Sequence, residues 1–196
     1  MVLKINSGWS RGLSLKSPAG SHTRPTTARL REAAWNSLQF FLPDAKVLDV
    51  FAGSGVVGLE ALSRGASAVT FIDNDKNALS CLQTNLNLLE NRAKSNKTSF
   101  DASIMAGSFE IMKTLQPGSF DVIWADPPYA DLKKFLEIFI TVGPKLLSSE
   151  GRFVLECSSD DKANLEQLFR HEDWGFMQTK QKKVASSLLS IFVRKE

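Results

Sequence analysis

The chain is expected to fold as an α/β protein with a mostly parallel sheet covered by helices on both faces. Three observations predict this. Apolar strand-like runs alternate with helical segments from residue 46 to residue 169, the first of these strands runs into a glycine turn, and the last two apolar runs follow one another with no helix between them.

Residues 3–5 and 13–15 are short apolar runs separated by Gly8, Arg11 and Gly12, which reads as a small hairpin. Pro18, Gly20 and Pro25 mark a loop. A helix follows, capped by Thr26 or Thr27, with Leu30, Ala33, Ala34, Leu38 and Phe41 at helical spacing and Pro43 closing it. Lys46–Phe51 is a buried strand, then comes the glycine turn and a helix to about Ser63. Ala68–Ile72 is the second strand, followed by a helix from Lys76 to about Leu89. Ser103–Met105 is a weak third strand before a short helix at Phe109–Leu115, and Phe120–Ala125 is the fourth, before a helix from Leu132 into the 140s. Gly151–Glu156 is the fifth strand, and Lys162–Phe169 another helix. Phe176–Val184 and Leu188–Arg194 should close the sheet as an antiparallel pair. The expected organisation is a hairpin with a basic loop over residues 1–25 and one α/β domain over residues 26–196.

At 196 residues the chain is long enough for one well-buried core. No stretch approaches the ~20 consecutive apolar residues of a membrane span. The segment Met1–Gly8 has no apolar signal core, so a cytoplasmic protein with no membrane partner is expected. Cys81 and Cys157 read as reduced packing residues rather than as a disulfide or metal framework, and no metal site is expected. The net charge of +3 hides an uneven distribution. Residues 1–31 carry +6 and residues 177–196 carry +4, so the middle carries 3 − 6 − 4 = −7. Basic ends around an acidic centre suit a phosphate backbone if both ends fold onto one face.

The glycine turn, Asp49-Val-Phe-Ala-Gly53-Ser-Gly55-Val-Val-Gly58, lies where the first parallel strand meets its helix. Glycines there let the chain turn sharply and let a ligand reach main-chain amides. Gly53, Gly55 and Gly58 satisfy the dinucleotide fingerprint, and Asp73 lies 20 residues after Gly53, where an acid would hold ribose hydroxyls. These residues indicate an adenosine-containing cofactor and leave a nicotinamide dinucleotide and S-adenosylmethionine (SAM) equally open. Asp49 tilts the balance toward SAM, since a carboxylate suits a nearby sulfonium better than a nearby pyrophosphate. It can also serve as a hydrogen-bonded structural acid.

The fourth strand ends in Asp126-Pro127-Pro128-Tyr129. Consecutive prolines stiffen the loop and remove its amides, leaving a site that presents acceptors only. Such a site suits an exocyclic base amine, whose delocalised lone pair is a poor nucleophile. If the Asp126 carboxylate and the Pro127 carbonyl each accept one N–H, the nitrogen is drawn toward tetrahedral geometry with its lone pair facing the methyl donor. Tyr129, the only tyrosine, offers a stacking face, and the base must be unpaired or flipped. This pairing of motifs selects SAM over the dinucleotide.

The ordered set Gly8…Arg11-Gly12, Pro18-x-Gly20, Thr23–Thr26, Arg29–Asn36, Leu48–Gly55, Gly58–Ala66 and Asp126–Tyr129 resembles the bacterial RsmD-type 16S rRNA guanine-N2 methyltransferases. The resemblance implies a Rossmann-like class I SAM-dependent fold with seven strands, an amino-terminal hairpin, and methylation of a guanine amine in small-subunit ribosomal RNA, in the subunit or an assembly intermediate, by a monomer. It implies that Asp49, Phe51, Ala52, Gly53, Ser54 and Gly55 line the SAM pocket, that Asp73 and Asn74 take the ribose, and that Asp126, Pro127, Pro128 and Tyr129 do the chemistry. Thr23–Thr26 would sit over the active site. Arg11, Arg24, Thr26, Lys182 and Lys183 would contact RNA. After the third strand such enzymes often carry Asp or Asn near the adenine amine. Here Gly107 and Ser108 stand in that place, with Asp101 a weaker candidate.

His171 reads as surface, and His22 as an RNA contact rather than a catalyst. Glu60 and Arg64, at i and i+4, read as a surface pair, and Trp9 and Trp35 as core. Two other functions fit the motifs less well. An adenine- or protein-glutamine methyltransferase would usually carry Asn at position 126, and a noncatalytic RNA-binding assembly factor would not need the intact acceptor loop.

Overall fold

The computed structural model describes residues 3–18, 28–162, 165, 169 and 174–195. The expected caps Thr26 and Thr27, both histidines, Arg24 and most of the helix expected over Lys162–Phe169 lie outside the described residues. Of that helix, Lys162, Leu165 and Phe169 are described and helical.

Strands β1 (Leu3–Lys4) and β2 (Ser14–Leu15) form the antiparallel hairpin, with Leu3 opposite Leu15. Helix α1 (Ala28–Ser37) follows, and then the alternating core: β3 (Lys46–Val50), α2 (Val56–Ser63), β4 (Ala68–Asp73), α3 (Lys76–Asn96), β5 (Asp101–Ala106), a 3-10 turn (Phe109–Thr114), β6 (Phe120–Ala125), α4 (Leu132–Leu146) and β7 (Leu147–Ser158). Strands β8 (Phe176–Val184) and β9 (Ser187–Arg194) close the chain. The seven-stranded sheet has the order β5-β4-β3-β6-β7-β9-β8. Its first five members are parallel, and the last two run as the expected antiparallel pair.

Several boundaries differ from the sequence reading, each for a local reason. The first core strand stops at Val50, because Phe51 takes a left-handed conformation (φ 64°) that leaves the sheet. The polar stretch after Leu89 stays helical to Asn96, since Ala93 keeps its face buried, and Lys97 ends the helix in the left-handed region. The segment after β5 is a 3-10 turn rather than an α-helix, capped by Ser108. The strand expected at Gly151–Glu156 extends over twelve residues, starting directly where α4 ends.

Two apolar layers cover the sheet. One combines α1, α2, α3 and the hairpin residues Ile5 and Leu15 with the Val47, Trp124 and Val154 face. The other packs α4 on the opposite face through stacked aromatics, Phe139 on Phe153 and Phe153 on Phe192. Burial on both faces accounts for the continuous apolar runs of β3 and β6. Cys81 and Cys157 are buried free thiols, and burial pushes the Cys157 thiol up to about 12. No helix of the described residues is long and apolar enough to cross a membrane.

Glu60 and Arg64 are not a surface pair. Helix α2 is buried along its whole length, and the Glu60 carboxylate is fully buried. It accepts from Arg31 Nε at 2.6 Å and Arg64 Nη2 at 2.9 Å, while the Asn6 amide approaches at 3.4 Å. Arg31 also donates to the Lys4 carbonyl at 3.0 Å, so one buried acid joins the hairpin, α1 and α2. Arg31 therefore neutralises Glu60 and contributes nothing to a surface footprint. Glu60→Ala, which leaves Arg31 buried without its partner, should cost about 3–5 kcal/mol of stability, and Glu60→Gln less. Urea denaturation measures both, and a loss below about 1 kcal/mol would show the ion cluster to be energetically idle.

Candidate active site

Strand order reverses between β3 and β6: from β3 the chain moves outward through β4 to β5, then returns to β6 on the other side. Asp49 lies opposite Trp124 and Val50 opposite Ala125. The glycine turn and Asp126–Tyr129 thus leave neighbouring strands at the same carboxyl end, beside the crevice where open α/β sheets bind ligands.

The turn is held from below and from the side. Phe51, Gly53 and Gly55 all have positive φ, at 64°, 56° and 77°. For a bulky residue such as Phe51 this conformation is strained, the kind of outlier that concentrates at functional sites. The Phe51 ring is fixed by Phe109 and Phe135, at centroid distances of 5.3 and 5.4 Å. Nothing lies within 4 Å of the position a Cβ would take on Gly53, whereas a Cβ on Gly55 would overlap Leu82 and one on Gly58 would overlap Phe71. The three glycines do different work. Gly53 opens space above the turn, while Gly55 and Gly58 let α2 approach α3 and β4.

Helix α2 begins at Gly55, which has no side chain to cap it. Asp49 supplies the missing acceptor: its Oδ2 takes the Gly58 amide at 2.9 Å. Burial pushes the Asp49 carboxyl up to about 7, the Gly58 amide opposes that rise, and the nearby Asp73 and Asp126 carboxylates add to it. Asp49 is only 2% exposed, so the structural role considered for it is real, and it sits within the field of the two other acids.

Asp73, at the end of β4, turns back onto the glycine loop. Its Oδ2 accepts the Gly53 amide at 2.7 Å and its Oδ1 the Asp75 amide at 2.8 Å, leaving each oxygen a further lone pair. Asn74 beside it is exposed. Next along the sheet edge, the Gly107 amide donates to the Asp73 carbonyl at 2.9 Å, and Ser108 Oγ accepts the Glu110 amide at 3.4 Å. Asp101 starts β5 opposite Ala68, at the far end of the sheet, and drops out as an adenine contact.

On the other side of the crevice Asp126 is half-buried, Pro127 buried and Tyr129 76% exposed. The Pro128 carbonyl is occupied, taking the amides of Asp131 (2.9 Å) and Leu132 (3.1 Å) as α4 begins. Residues expected to hold cofactor and substrate therefore lie in one row across β6, β3, β4 and β5, a span of about 14 Å at the usual strand spacing.

The RNA candidates are more scattered. Arg11 is exposed at the hairpin tip, where its carbonyl accepts from Arg92 near the end of α3. The neighbouring Trp9 bonds the Leu62 carbonyl at the end of α2 and stacks on Phe100, which places this tip at the amino ends of the strands, away from the crevice. Lys182 and Lys183 lie opposite Leu189 and Leu188 on exposed β8, and those leucines belong to different core layers, so the two lysines point to opposite faces of the sheet edge. Both stand at the crevice end, because the same leucines pair with Glu156 and Cys157 of β7. Sequence reasoning placed Glu60 on the surface and missed Phe109, Phe135 and Asn85. The signal for Glu60 was a charge in an otherwise apolar helix, and for Asn85 an amide on the apolar stripe Leu82–Leu86–Leu89.

A family model described as conserved hypothetical protein 95 matches residues 3–192. The chain belongs to this family, the RsmD family. It is 33% identical over 154 residues to YlbH of Bacillus subtilis, provisionally named an rRNA methyltransferase, covering 79% of this chain and 82% of that protein. It is 37% identical over 134 residues to ribosomal RNA small subunit methyltransferase D of Escherichia coli, covering 65% of this chain and 60% of that one. Among solved structures, a provisionally titled methyltransferase of Escherichia coli, yhhF, superposes with a TM-score of 0.76 at 25% identity, covering 100% of this chain and 99% of that one. The RsmD-type resemblance and the seven-stranded class I methyltransferase fold expected from it both hold.

Asp49 yields a test of the site's electrostatics. With its pKa raised in the folded state, ionisation opposes folding, so this acid's effect on stability is absent below about pH 4 and grows as pH rises to about 7. Asp49→Asn keeps an acceptor for the Gly58 amide and removes the charge. It should gain stability relative to the parent by about 4 kcal/mol at pH 8 but not at pH 4, read from thermal unfolding at both values. Equal differences at the two pH values would assign Asp49 an ordinary carboxylate pKa.

Proposed function

We propose that this protein uses SAM to methylate the exocyclic N2 amine of a guanine in 16S ribosomal RNA. The observation that carries the reading is the register of β3 and β6, which sets Asp126-Pro-Pro-Tyr129 beside the glycine turn. The names of the relatives above support ribosomal RNA as the substrate class.

The residues present fit SAM. Open space lies above Gly53, and Asp73 and Asn74 offer acceptors for a ribose diol. Gly107 and Ser108 would meet the adenine, and Asp126, with the buried Asp49 behind it, would face the sulfonium. Bound there, SAM supplies an electrophilic methyl group. The chain's own residues do the rest. Tyr129 presents an exposed ring on which a flipped base can stack. The Asp126 carboxylate and Pro127 carbonyl each accept one N–H of the amine, since Pro128's carbonyl is already engaged by α4. Holding both hydrogens directs the nitrogen lone pair out of the base plane, and Asp126 is placed to take the proton released as the N–C bond forms. The acid at position 126, where adenine and glutamine enzymes usually carry Asn, is the reason for choosing guanine. We further propose that the enzyme acts as a cytoplasmic monomer on the small subunit or an assembly intermediate.

The test is to incubate the protein and methyl-labelled SAM with small subunits, with their naked RNA and with DNA, then identify the labelled nucleoside. N2-methylguanosine is the expected product. Label confined to methyladenine would reassign the base, and no label with SAM bound would favour protein methylation or a noncatalytic role. Asp126→Ala should lower turnover by about 100-fold or more while SAM still binds. If binding fell in parallel, Asp126 would belong to the cofactor site. Replacing Lys182 and Lys183 singly should lower the salt slope of RNA binding by about 1 each, and a slope unmoved by either would remove β8 from the RNA footprint.

A further inference from the structure

Asn85 lies in the middle of α3 and is completely buried, yet no step above uses it. Its side chain makes three strong bonds, none within its own helix. Oδ1 accepts the Lys16 amide at 2.7 Å, and Nδ2 donates to the Lys16 carbonyl at 3.0 Å and to the Ser54 carbonyl at 2.9 Å. The backbone N–H and carbonyl of Lys16 are thus both held by one side-chain amide, as a neighbouring strand would hold them. The Cys81 thiol, one turn earlier, reaches the same Lys16 carbonyl at 3.2 Å. Ser54 stands between Gly53 and Gly55, so the Ser54 carbonyl belongs to the turn that the proposed function assigns to SAM. Leu82, one turn from Asn85, fills the space against Gly55.

Energetics favour a specific role. An amide buried in an apolar stripe is costly unless all its groups are bonded. Here both hydrogens and the oxygen are taken by backbone outside α3, and the only contact within the helix is a longer one from Nδ2 to the Cys81 thiol at 3.7 Å. Leucine at this position would fill the stripe, but it would leave the Lys16 backbone and the Ser54 carbonyl without these partners. The side chain fixes the plane of the Ser54 peptide and, with its other end, the strand leaving the hairpin.

We propose that Asn85 is a positioning residue that ties the amino-terminal arm at residues 16–18 to the cofactor turn, so that ordering of the arm and binding of SAM are coupled. This rests on the SAM reading of the turn. By linkage, a cofactor that rigidifies the Ser54 peptide rigidifies the Lys16 backbone through the shared side chain, and an arm held in place lowers the cost of binding the cofactor.

S-adenosylhomocysteine, the demethylated cofactor, is the probe. In the unaltered protein, hydrogen exchange followed by mass spectrometry should show slower exchange in peptides covering residues 13–18 when the probe saturates, alongside the turn itself. Asn85→Asp keeps the acceptor and loses both donors. It should bind the probe about tenfold more weakly and raise the KM for SAM by a similar factor, leaving kcat nearly unchanged because the Asp126 loop is untouched. A variant that loses stability with unchanged probe affinity and KM would make Asn85 merely structural and overturn the proposal. If Asn85→Asp does not fold, the exchange experiment decides alone, since unprotected residues 13–18 in the saturated protein rule out coupling. Failure of the unaltered protein to bind the probe would overturn the SAM reading itself, a distinct result.

Discussion

The pairing of β3 with β6 is the constraint on which the rest of the site depends. Asp49 and Trp124 are 75 residues apart in the chain and opposite one another in the sheet. Everything between them, two helices, two strands and a 3-10 turn, is the excursion that lets the chain return on the other side of β3. Because the excursion leaves in one direction and comes back in the other, the loops after β3 and β6 diverge and leave a crevice. A glycine turn and an acceptor loop have no chemical meaning for one another until that reversal puts them side by side.

Buried polar groups then hold the crevice in shape. Helix α2 is buried around its whole circumference and starts at a glycine, so it carries neither a surface face nor a cap of its own. Asp49 caps it from the strand below, and Glu60 anchors it to α1 and the hairpin through Arg31. Asn85 fixes the loop that precedes it. Each of these groups would be costly in a core without its partners, which makes the arrangement specific as well as stable. The hairpin is part of this scheme, with Ile5 and Leu15 in the same apolar layer as α1, α2 and α3.

Much of the architecture was legible because period and punctuation act locally. The alternation of apolar runs with helical segments specified the parallel sheet, and the missing helix after residue 176 specified the antiparallel edge. The reading was weakest where local signals mislead. The helix was expected to end near Leu89 because the residues after it are polar, yet a helix needs only one buried face, and Ala93 supplies it as far as Asn96. Glu60 and Arg64 looked like a surface pair because their spacing says nothing of which side of α2 is covered. Asp101 carried an acid near the right strand but at its wrong end.

By itself, the sequence determined which chemistry was available: glycines that open a turn, an acid at the end of the following strand, and a proline-stiffened loop of acceptors with one tyrosine. These are properties of residue types at short spacing, and short spacing survives translation into structure. Tertiary structure alone decided which of these groups share a site and which do not. It put Asp49 under α2, Asp73 against the Gly53 amide, Arg11 at the far end of the molecule, and Lys182 and Lys183 on opposite faces of one strand. The reason is physical: a side chain's neighbours across a sheet are set by strand order and register, and both come from the collective burial of apolar surface rather than from any local stretch of chain.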